Sequence, residues 1–571
     1  MTKKKQKGMF RRTFSLFGSI RIPWHLYILQ VILGIISTRV ALLYIPYYTR
    51  MQTGNIMDGS VLGSYLMFAV LATVMTTLER IPSFYSSATV SRRLQNRLID
   101  HSLRLNMRSF ESSASQLVSW ITQDCTYADG LITSVVGFIT GIYATYASVT
   151  KLSAIDMSFV GLVPVILVYI VFSTWLEGKT MFLRQRRSRR ADAELTAYLA
   201  EHLSFFTQIR QLHSKQEEIR RGKEAARRYF RADVYQAVLT LLTNLVSGSL
   251  SSVITILVFV MGVPMVRSGG ITITDLAAFQ NYILIAYQSL SSLPGLYTNL
   301  MYYNGELFYI AALAAEPEEV YERERSMDVA DQDLIFDHVS FGYGEKPVLR
   351  DVTFTVPKGK LTVVVGPNGS GKTTLFKLIE RFYTPDRGSL QFGPYAAEDI
   401  HLQEWRQSIA YVLQEPQLFD GTIRANITYG MDREVTDEEV SAATRLAGAE
   451  EFISELPGGY DFVIGENGQR LSAGQRQRLA IARAVMLDPA YLLLDEATCN
   501  LDVYAEREVT NALFGLMKGR TTVMISHDMA MLKRADHVVV LSGGVVEAAG
   551  PLDQVEKNSS TLRALIQANA V

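Results

Sequence analysis

The chain has 571 residues, of which 48 % are hydrophobic, and its 56 basic side chains balance its 56 acidic ones. Nothing in this neutral balance points to nucleic acid, whose binding needs a basic surface. The length predicts roughly three or four domains. The apolar fraction is high for a soluble enzyme and predicts membrane spans. Two distant cysteines, Cys125 and Cys499, form no metal framework, and a reducing compartment suits both.

Six apolar stretches follow one another in the first half of the chain. Each approaches the length of about 20 residues that a helix needs to cross a bilayer, so we predict six spans. The alternative is a set of buried helices in a soluble domain, which such runs seldom form. The predicted spans are Leu26–Tyr48, Val61–Leu78, Leu131–Thr150, Met157–Leu176, Leu241–Met265 and Leu276–Leu293.

The charges between these stretches predict their orientation. The N-terminus is basic and no small-residue cleavage site follows the first apolar stretch, so we expect a retained first span. Arginines crowd the two long connections, between spans two and three and between spans four and five, whereas the others are short and nearly uncharged. Basic loops stay in the cytoplasm, so both termini and both long connections are predicted to be cytoplasmic. Heptad-like apolar spacing predicts that these connections are helices extending from the membrane.

Polar residues inside the spans have two interpretations. Serines such as Ser247, Ser249, Ser251 and Ser252 allow membrane helices to pack closely, and they would equally line a cavity for an amphipathic cargo. Arg39 lies inside the first span, where a charge is unfavourable and therefore a functional candidate. Snorkelling, pairing with another helix and substrate contact all remain open for it.

A charged stretch separates the two halves of the chain. Glu316-Pro-Glu-Glu and the residues up to Asp333 lack an apolar face, which is typical of a linker. We therefore predict a transmembrane domain over 1–315, a linker over 316–333 and an α/β domain over 334–571.

A glycine-rich loop follows the apolar run Leu361–Val365 and reads Gly-Pro-Asn-Gly-Ser-Gly-Lys-Thr-Thr. Strand, loop and following helix make a phosphate-binding loop, whose backbone N–H groups and helix dipole attract phosphate oxygens. Lys372 is expected to reach the terminal phosphates of ATP, and the Thr373 hydroxyl to bind Mg²⁺. The predicted nucleotide contacts of the loop are Gly366, Asn368, Gly369, Ser370, Gly371, Lys372, Thr373 and Thr374.

A second motif, Tyr491-Leu-Leu-Leu-Asp-Glu, reads as a strand buried on both faces that ends in two carboxylates. Asp495 at the strand tip is placed to hold Mg²⁺, directly or through water. Glu496 is placed to orient and deprotonate an attacking water.

Between these motifs, Leu471-Ser-Ala-Gly-Gln opens a helical run. With this motif in this order, the chain resembles the ATP-binding cassette (ABC) ATPases. The resemblance implies that Ser472, Gly474 and Gln475 contact nucleotide held by a partner subunit, which suits a serine and small residues at a helix N-terminus. Ala473 replaces the family's usual glycine and leaves open a weakened composite site, as does the unusual pair Cys499-Asn500.

Further positions resemble the family's functional residues one by one. Tyr343 resembles the aromatic that stacks on adenine, and Gln414 the glutamine that contacts Mg²⁺ and senses the membrane domain. Asp502 resembles the aspartate of the loop at the dimer interface, and His527 the histidine that binds the γ-phosphate. Gln414 and His527 thereby join Glu496 as candidate catalytic residues, and Gln414 joins Thr373 and Asp495 as candidate metal ligands.

The resemblance covers nearly the whole chain and implies a half-transporter of the exporter fold. Helical turns near Phe110 and Phe205–Phe206 would couple the cassette to the membrane helices. The implied protein is a multi-pass membrane ATPase with a cytoplasmic cassette, in a bacterial inner or plasma membrane. It binds ATP and Mg²⁺, pairs with an identical or related second chain, and exports an amphipathic drug, lipid or peptide. The alternatives are an exporter-fold importer of a metal–chelator complex and a soluble cassette ATPase.

Overall fold

A computed structural model gives the fold of most of the chain. It describes all residues except 1–12, 14, 54–58, 108–113, 158–160, 162–163, 165–166, 173–174, 176–190, 193, 197, 203–204, 213, 320–331, 345, 498–502, 527 and 570–571. The chain divides into two compact units. The first comprises Met1–Leu103 with Ser112–Glu316, and the second Arg104–Glu111 with Pro317–Val571.

The described part of the first unit is helical. Its helices are α1 Trp24–Gln52, α2 Gly59–Leu103, α3 Ala114–Thr122, α4 Tyr127–Ile155, α5 Phe206–Gln211, α6 Lys215–Arg267, α7 Ile273–Glu306 and α8 Phe308–Leu313. Three described helical stretches are long and apolar enough to cross a membrane, and they contain predicted spans one to three. Predicted spans five and six lie within α6 and α7. Half of the residues of the fourth, Met157–Leu176, lie outside the described part of the chain.

Two helices are far longer than a bilayer requires. Helix α2 has 45 residues and α6 has 53. At 1.5 Å per residue they measure roughly 70 and 80 Å, more than twice the hydrocarbon thickness of about 30 Å. The N-terminal part of α6 carries exposed ion pairs of Arg220 with Glu217 and Glu224, as expected of a helix in water. These lengths agree with the prediction of long helical extensions.

Small residues bring the membrane helices close together. A Cβ atom at Gly262 of α6 would lie 2.2 Å from Leu276 Cδ1 of α7. One at Gly130 of α4 would lie 2.4 Å from the ring of Tyr303, also on α7. Neither position has room for a side chain, which is how membrane helices gain packing contacts where the hydrophobic effect does not drive them together.

The second unit contains two sheets. The strands are β1 Leu334–Tyr343, β2 Lys346–Val356, β3 Leu361–Val365, β4 Arg387–Phe392, β5 Tyr395–Ala396, β6 Ile409–Val412, β7 Tyr491–Asp495, β8 Thr521–Ile525, β9 His537–Ser542 and β10 Val545–Gly550. Strands β2-β1-β4-β5 form an antiparallel sheet. The other sheet has the order β10-β9-β3-β8-β7-β6 and is parallel except for β10.

Helices connect and cover these strands. They are α9 Lys372–Ile379, α10 Leu402–Gln407, α11 Ile423–Ile427, α12 Asp437–Leu446, α13 Glu450–Glu455, α14 Ala473–Leu487, α15 Val503–Met517, α16 Met529–Arg534, α17 Leu552–Asn558 and α18 Ser560–Asn569. The parallel sheet has a hydrophobic cluster on each face, and β7 alternates between them: Leu492 and Leu494 enter one, Tyr491 and Leu493 the other. This two-sided burial is what the apolar run before Asp495 predicts.

Among the described residues of the predicted linker, Glu316 belongs to the first unit, whereas Glu318 and Glu319 are bound within the second. Glu318 forms an antiparallel bridge with Leu105, and the N–H of Glu319 donates to the Arg104 carbonyl at 2.7 Å. The Glu319 carboxylate accepts two hydrogen bonds, of 2.9 and 3.0 Å, from the guanidinium of Arg406 on α10. The linker carboxylate of Glu319 therefore forms an ion pair with Arg406. The composition of the linker alone does not predict this ion pair.

Candidate active site

Four parallel strands end at one edge of the larger sheet, and each leads into a predicted site segment. Strand β3 runs into Gly366, β6 into the loop that carries Gln414 and β7 into Glu496, and β8 ends at Ile525, two residues before His527 in the sequence. Ligands of α/β folds bind at this carboxyl edge. The topology therefore brings to one sheet edge segments that are distant in the sequence, such as those of Gly366 and Glu496.

Two glycines of the phosphate loop stand where a side chain has no room. A Cβ atom at Gly366 would lie 2.1 Å from the Leu541 carbonyl oxygen of β9. Gly371 has a left-handed φ of 105°, and a Cβ there would lie 2.7 Å from Leu349 Cδ2 of β2. The loop is thus pressed between the two sheets, and its glycines meet both the steric and the conformational requirements of that position.

Lys372 closes this loop. Its buried ammonium donates hydrogen bonds to the carbonyls of Gly366 at 2.7 Å and Pro367 at 3.2 Å. Burial lowers the pKa of Lys372, while the charges of Glu496 and Asp495 act in the opposite direction. The Lys372 ammonium therefore interacts electrostatically with both carboxylates. The cation is held where the loop curls, as a phosphate-binding lysine has to be.

One hydroxyl of the loop is an orphan. Ser370 is 3 % exposed, and its Oγ has no hydrogen-bond partner among the described residues. A buried polar atom without a partner is unfavourable and points to a missing ligand. Thr373 is exposed and Thr374 buried, so the Thr373 hydroxyl is accessible to a metal ion. The loop therefore fits a phosphate group and its cation.

The tip of β7 places a carboxylate beside a tyrosine. Tyr411 on β6 donates a hydrogen bond of 3.0 Å to Asp495 Oδ2. Burial raises the pKa of Asp495, with the nearby Glu496 adding to it, whereas the bond from Tyr411 and the charge of Lys372 oppose the rise. A buried carboxylate that needs a cation is a good metal ligand. Sequence reasoning missed Tyr411, because only the strand order brings it next to Asp495.

Glu496 adopts an unusual backbone conformation. Its φ is +45°, in the left-handed region that a non-glycine residue enters at a cost of about 1 kcal/mol. Its N–H still donates to the Ile525 carbonyl of β8 at 3.0 Å. Such strain concentrates at functional sites. Here it turns the chain sharply at the strand end.

The predicted adenine platform is an aromatic cluster at the end of β1. The ring of Tyr343 makes edge contacts with Phe341 and Tyr383, at centroid distances of 5.1 and 5.3 Å. The Lys377 ammonium of α9 lies 5.5 Å from the centroid of the Tyr343 ring. Tyr343 itself is 38 % exposed. The cluster supports the ring from the sides and leaves part of it accessible.

The Leu471 motif begins helix α14. Ser472 is its N-cap: its hydroxyl accepts from the Gln475 N–H at 3.2 Å, and Gln475 Oε1 accepts from the Ser472 N–H at 2.9 Å. This capping box stabilises the helix start. Gly474 is buried, and a Cβ there would lie 2.7 Å from the Ala505 Cβ of α15. The glycine thus has a packing role that its sequence motif does not reveal.

Of the remaining predicted site residues, only Gln414 lies in the described part of the chain. Gln414 is exposed in the loop after β6, at the expected sheet edge. Asp502 and His527 lie outside the described residues, as do Cys499 and Asn500 and the predicted coupling turn at Phe110. The second coupling turn coincides with the short helix α5 at Phe206.

Two family profiles match the chain. The profile of the ABC transporter transmembrane region matches residues 27–290, and the ABC transporter profile matches residues 349–499. An ATP-dependent lipid A-core flippase of Burkholderia pseudomallei (strain 1710b) is 32 % identical over 504 residues, covering 85 % of this chain and 83 % of the flippase. This chain is an ABC transporter.

A further relative and a solved structure extend the match to nearly the whole chain. A multidrug resistance ABC transporter ATP-binding and permease protein of Lactococcus lactis subsp. lactis (strain IL1403) is 26 % identical, covering 96 % of this chain and 94 % of the relative. A solved bacterial Atm1-family ABC exporter with ATP bound has the same fold, with a TM-score of 0.81 and 24 % identity. It covers 95 % of this chain, and the match spans 97 % of the exporter.

These matches confirm the predicted transporter. It has a helical transmembrane region and an α/β nucleotide-binding domain in one chain, which is a half-transporter of the exporter fold. It is an ATP-hydrolysing, multi-pass membrane protein with its ATPase domain in the cytoplasm. The membrane region excludes the soluble cassette ATPase, and the relatives favour the exporter over the importer.

Proposed function

We propose that this ABC transporter exports an amphipathic drug, lipid or peptide as a dimer that binds two ATP molecules between its cassettes. The observation that carries the proposal is the assembly at one sheet edge. There the phosphate loop, with its buried Lys372 and orphan Ser370 hydroxyl, meets the carboxylates of Asp495 and Glu496. The domain limits 1–315, 316–333 and 334–571 belong to the same proposal.

The loop residues hold the nucleotide. Backbone N–H groups of the loop after Pro367 face the phosphates, and Lys372 exchanges its two carbonyl partners for phosphate oxygens. The accessible face of Tyr343 stacks on adenine. Thr373, Gln414 and Asp495 would hold Mg²⁺, which would neutralise charge on the phosphates.

Glu496 is the residue that acts on water. It follows Asp495 directly, at the left-handed turn of the backbone. Glu496 orients the attacking water and accepts its proton, while Gln414 and His527 position the water and the γ-phosphate. Hydrolysis produces ADP and phosphate, and the protein itself is not covalently modified.

The second half of each site comes from the partner chain. Ser472, Gly474 and Gln475 stand at the start of α14, where Ser472 is exposed and Gly474 is buried. N–H groups and the helix dipole favour an anion at such a helix start. With Asp502 they complete the site of the facing chain, an identical or a related one. ATP shifts the equilibrium toward the closed cassettes because it contacts the closed dimer better than the open one. Closure of the cassettes opens a cavity in the membrane region to the outside, and their reopening after hydrolysis returns it to the cytoplasmic side.

The test is Glu496→Gln in the full chain, reconstituted in nanodiscs. ATP binding should persist while steady-state hydrolysis falls by at least about 100-fold, since a positioned base contributes roughly 10²–10⁴ in rate. Glu438→Gln is the matched control, because Glu438 is exposed on α12. Normal turnover in Glu496→Gln would contradict the assigned role.

Transport direction and partner identity need two further measurements. ATP-driven accumulation of a fluorescent amphiphile in inside-out vesicles supports export, and accumulation only in right-side-out vesicles would contradict it. The chain expressed alone should hydrolyse ATP as a homodimer. If it hydrolyses ATP only with a second chain present, the partner is a related half-transporter.

A further inference from the structure

Two exposed stripes of side chains lie side by side on the first and third predicted spans. They share the spacing i, i+4, i+7 and i+11 of one helix face, and all of their members are exposed. We call them together the Arg39 wall. On α1 it comprises Ile32, Ile36, Arg39 and Leu43, and on α4 Val135, Ile139, Ile142 and Tyr146.

Arg39 is the single charge in this wall and lies near the middle of helix α1. It is 15 residues from the start of α1 at Trp24 and 13 from its end at Gln52. At 1.5 Å per residue it is roughly 20 Å from either helix end. An arginine side chain cannot snorkel over that distance. The charge must therefore meet a polar partner inside the membrane region.

Among the described residues, the contacts of Arg39 satisfy only part of its hydrogen-bonding capacity and none of its charge. Arg39 Nε donates a hydrogen bond of 2.5 Å to the Tyr143 hydroxyl of α4, and the guanidinium carbon lies 6.0 Å from the Tyr143 ring centroid. Among the described residues, no carboxylate lies within ion-pair distance of Arg39. The carboxylate of Glu79 is against Gly34 on the buried face of α1, more than one turn away along the helix.

This arrangement excludes a lipid-facing role for the wall. A guanidinium has five N–H donors, and one hydrogen bond from Nε to Tyr143 leaves its terminal nitrogens to other partners. Hydrocarbon has no hydrogen-bond acceptors for these nitrogens, so a charged residue within a membrane span faces protein or a water-filled cavity. The bond to Tyr143 holds Nε, and because Arg39 is exposed its terminal nitrogens are accessible to a further partner.

We infer that the Arg39 wall is a binding site for an amphipathic molecule that carries one anionic group, a phosphate or a carboxylate. The guanidinium pairs with two oxygens of that group, and the apolar stripes contact its hydrocarbon part. The stripe on α1 spans 11 residues, or about 16 Å, which suits an alkyl chain of ordinary length. A neutral cargo would leave the cation without a counter-charge, so the site selects for anionic amphiphiles.

This inference rests on the proposed function and narrows the cargo to a charge class. The two are separable, because binding can be measured without ATP. A chain that moves a neutral amphiphile on ATP hydrolysis but shows no anion preference would overturn the inference alone. Anion binding at Arg39 without ATP-driven movement of any amphiphile would overturn the proposed function alone.

The experiment measures binding to the ATP-free full chain in phosphatidylcholine nanodiscs. The probes are a fluorescent alkyl phosphate and the alcohol with the same chain and fluorophore, each corrected for partition into empty nanodiscs. Arg39→Gln should weaken the phosphate probe by roughly tenfold to hundredfold, since a charged hydrogen-bonded pair contributes about that much to binding. It should change the binding of the alcohol by less than about threefold.

Matched variants separate this role from a structural one. Arg39→Lys keeps the charge and should recover most of the phosphate affinity, whereas Tyr143→Phe should weaken it by a smaller factor. Arg50→Gln removes an exposed arginine from the last turn of the same helix and should leave both probes unaffected. If Arg39→Gln lowers both affinities equally, or dissociates the dimer without a change in anion preference, the inference is wrong.

A competition arm identifies the source of the anion. Phosphatidic acid added to the nanodiscs presents the phosphate from the bilayer, and a soluble alkyl carboxylate presents an anion from water. Displacement of the probe by the lipid alone indicates a membrane cargo, and displacement by the carboxylate indicates a soluble one. Both results support the site, and displacement by neither overturns it.

Discussion

Glu380, at the end of the helix that follows the phosphate loop, is predicted to make the stability of the ATPase domain pH-dependent. The residue is 8 % exposed, and burial raises its pKa from the ordinary 4.5 to about 7, although the charge of Arg406 opposes the rise. The folded domain therefore binds a proton more tightly than the unfolded chain does. Stability contributed by this proton is lost as the pH rises.

The size and sign follow from the two pKa values. Below pH 4.5 the carboxyl is protonated in both states and has no effect. Between pH 4.5 and 7 the native state holds more protons than the unfolded state, so stability falls with pH. Above pH 7 the full penalty applies, and the difference between 4.5 and about 7 corresponds to about 3 kcal/mol. Glu380→Gln removes the ionisation and should recover up to that amount at pH 8.

A buried tryptophan provides the assay. Trp405 is the only tryptophan in residues 334–571, and its Nε1 donates to the Ile379 carbonyl at 2.6 Å, one residue from Glu380. Its fluorescence is isolated by replacing Trp24, Trp120 and Trp175 with Phe in the full chain. At pH 8, Glu380→Gln should raise the thermal midpoint by roughly 6–12 °C, at about 2–4 °C per kcal/mol for a domain of this size. The gain should shrink toward zero near pH 4.5.

The control and the refuting result use the same assay. Glu438→Gln removes an exposed carboxylate from α12 and should follow the parent at every pH. If the midpoints of the parent and Glu380→Gln run parallel from pH 5 to pH 8, the pKa of Glu380 is not raised in the folded state, and the argument from burial fails.

Two further predictions concern packing in the ATPase domain. Gly474→Ala places a methyl group 2.7 Å from the Ala505 Cβ, so it should lower the thermal midpoint of the ATP-free domain. Adding Ala505→Gly in the same chain should restore most of the lost midpoint. If the two substitutions lower the midpoint additively, the two residues are not in direct contact. Arg406→Gln removes the partner of the Glu319 carboxylate, whose side chain is 9 % exposed, and should cost up to about 3 kcal/mol. Adding Glu319→Gln should reduce this loss of stability. If the double variant is less stable than Arg406→Gln alone, the proposed ion-pair contribution is wrong.

Much of the fold could be predicted from patterns that are local in the sequence. The apolar run before Gly366, the glycines after it and the acidic end of β7 are each contiguous in sequence, and the structure puts all of them at one sheet edge. The span lengths and loop charges likewise depend on neighbouring residues, and helices occupy predicted spans one to three. The roles assigned to the site residues remain predictions, including those of Asp502 and His527.

What sequence reasoning missed depends on contacts between distant segments. Tyr411 becomes a partner of Asp495 only through the pairing of β6 with β7. The raised pKa of Glu380 depends on how completely the fold buries it. Arg39 could be recognised as unusual from hydropathy alone, but its bond to Tyr143 requires two helices to meet. A single sequence contains no signal for these encounters.

The bridge between Leu105 and Glu318 has a consequence for engineering. The ATPase unit takes in a short segment that starts at Arg104, more than 200 residues before the rest of it begins at Pro317. As a genetic module it is therefore discontinuous. A chimera that exchanges cassettes between two transporters at the linker alone would mismatch this segment with its new neighbour. Transplanting both pieces together preserves the pairing.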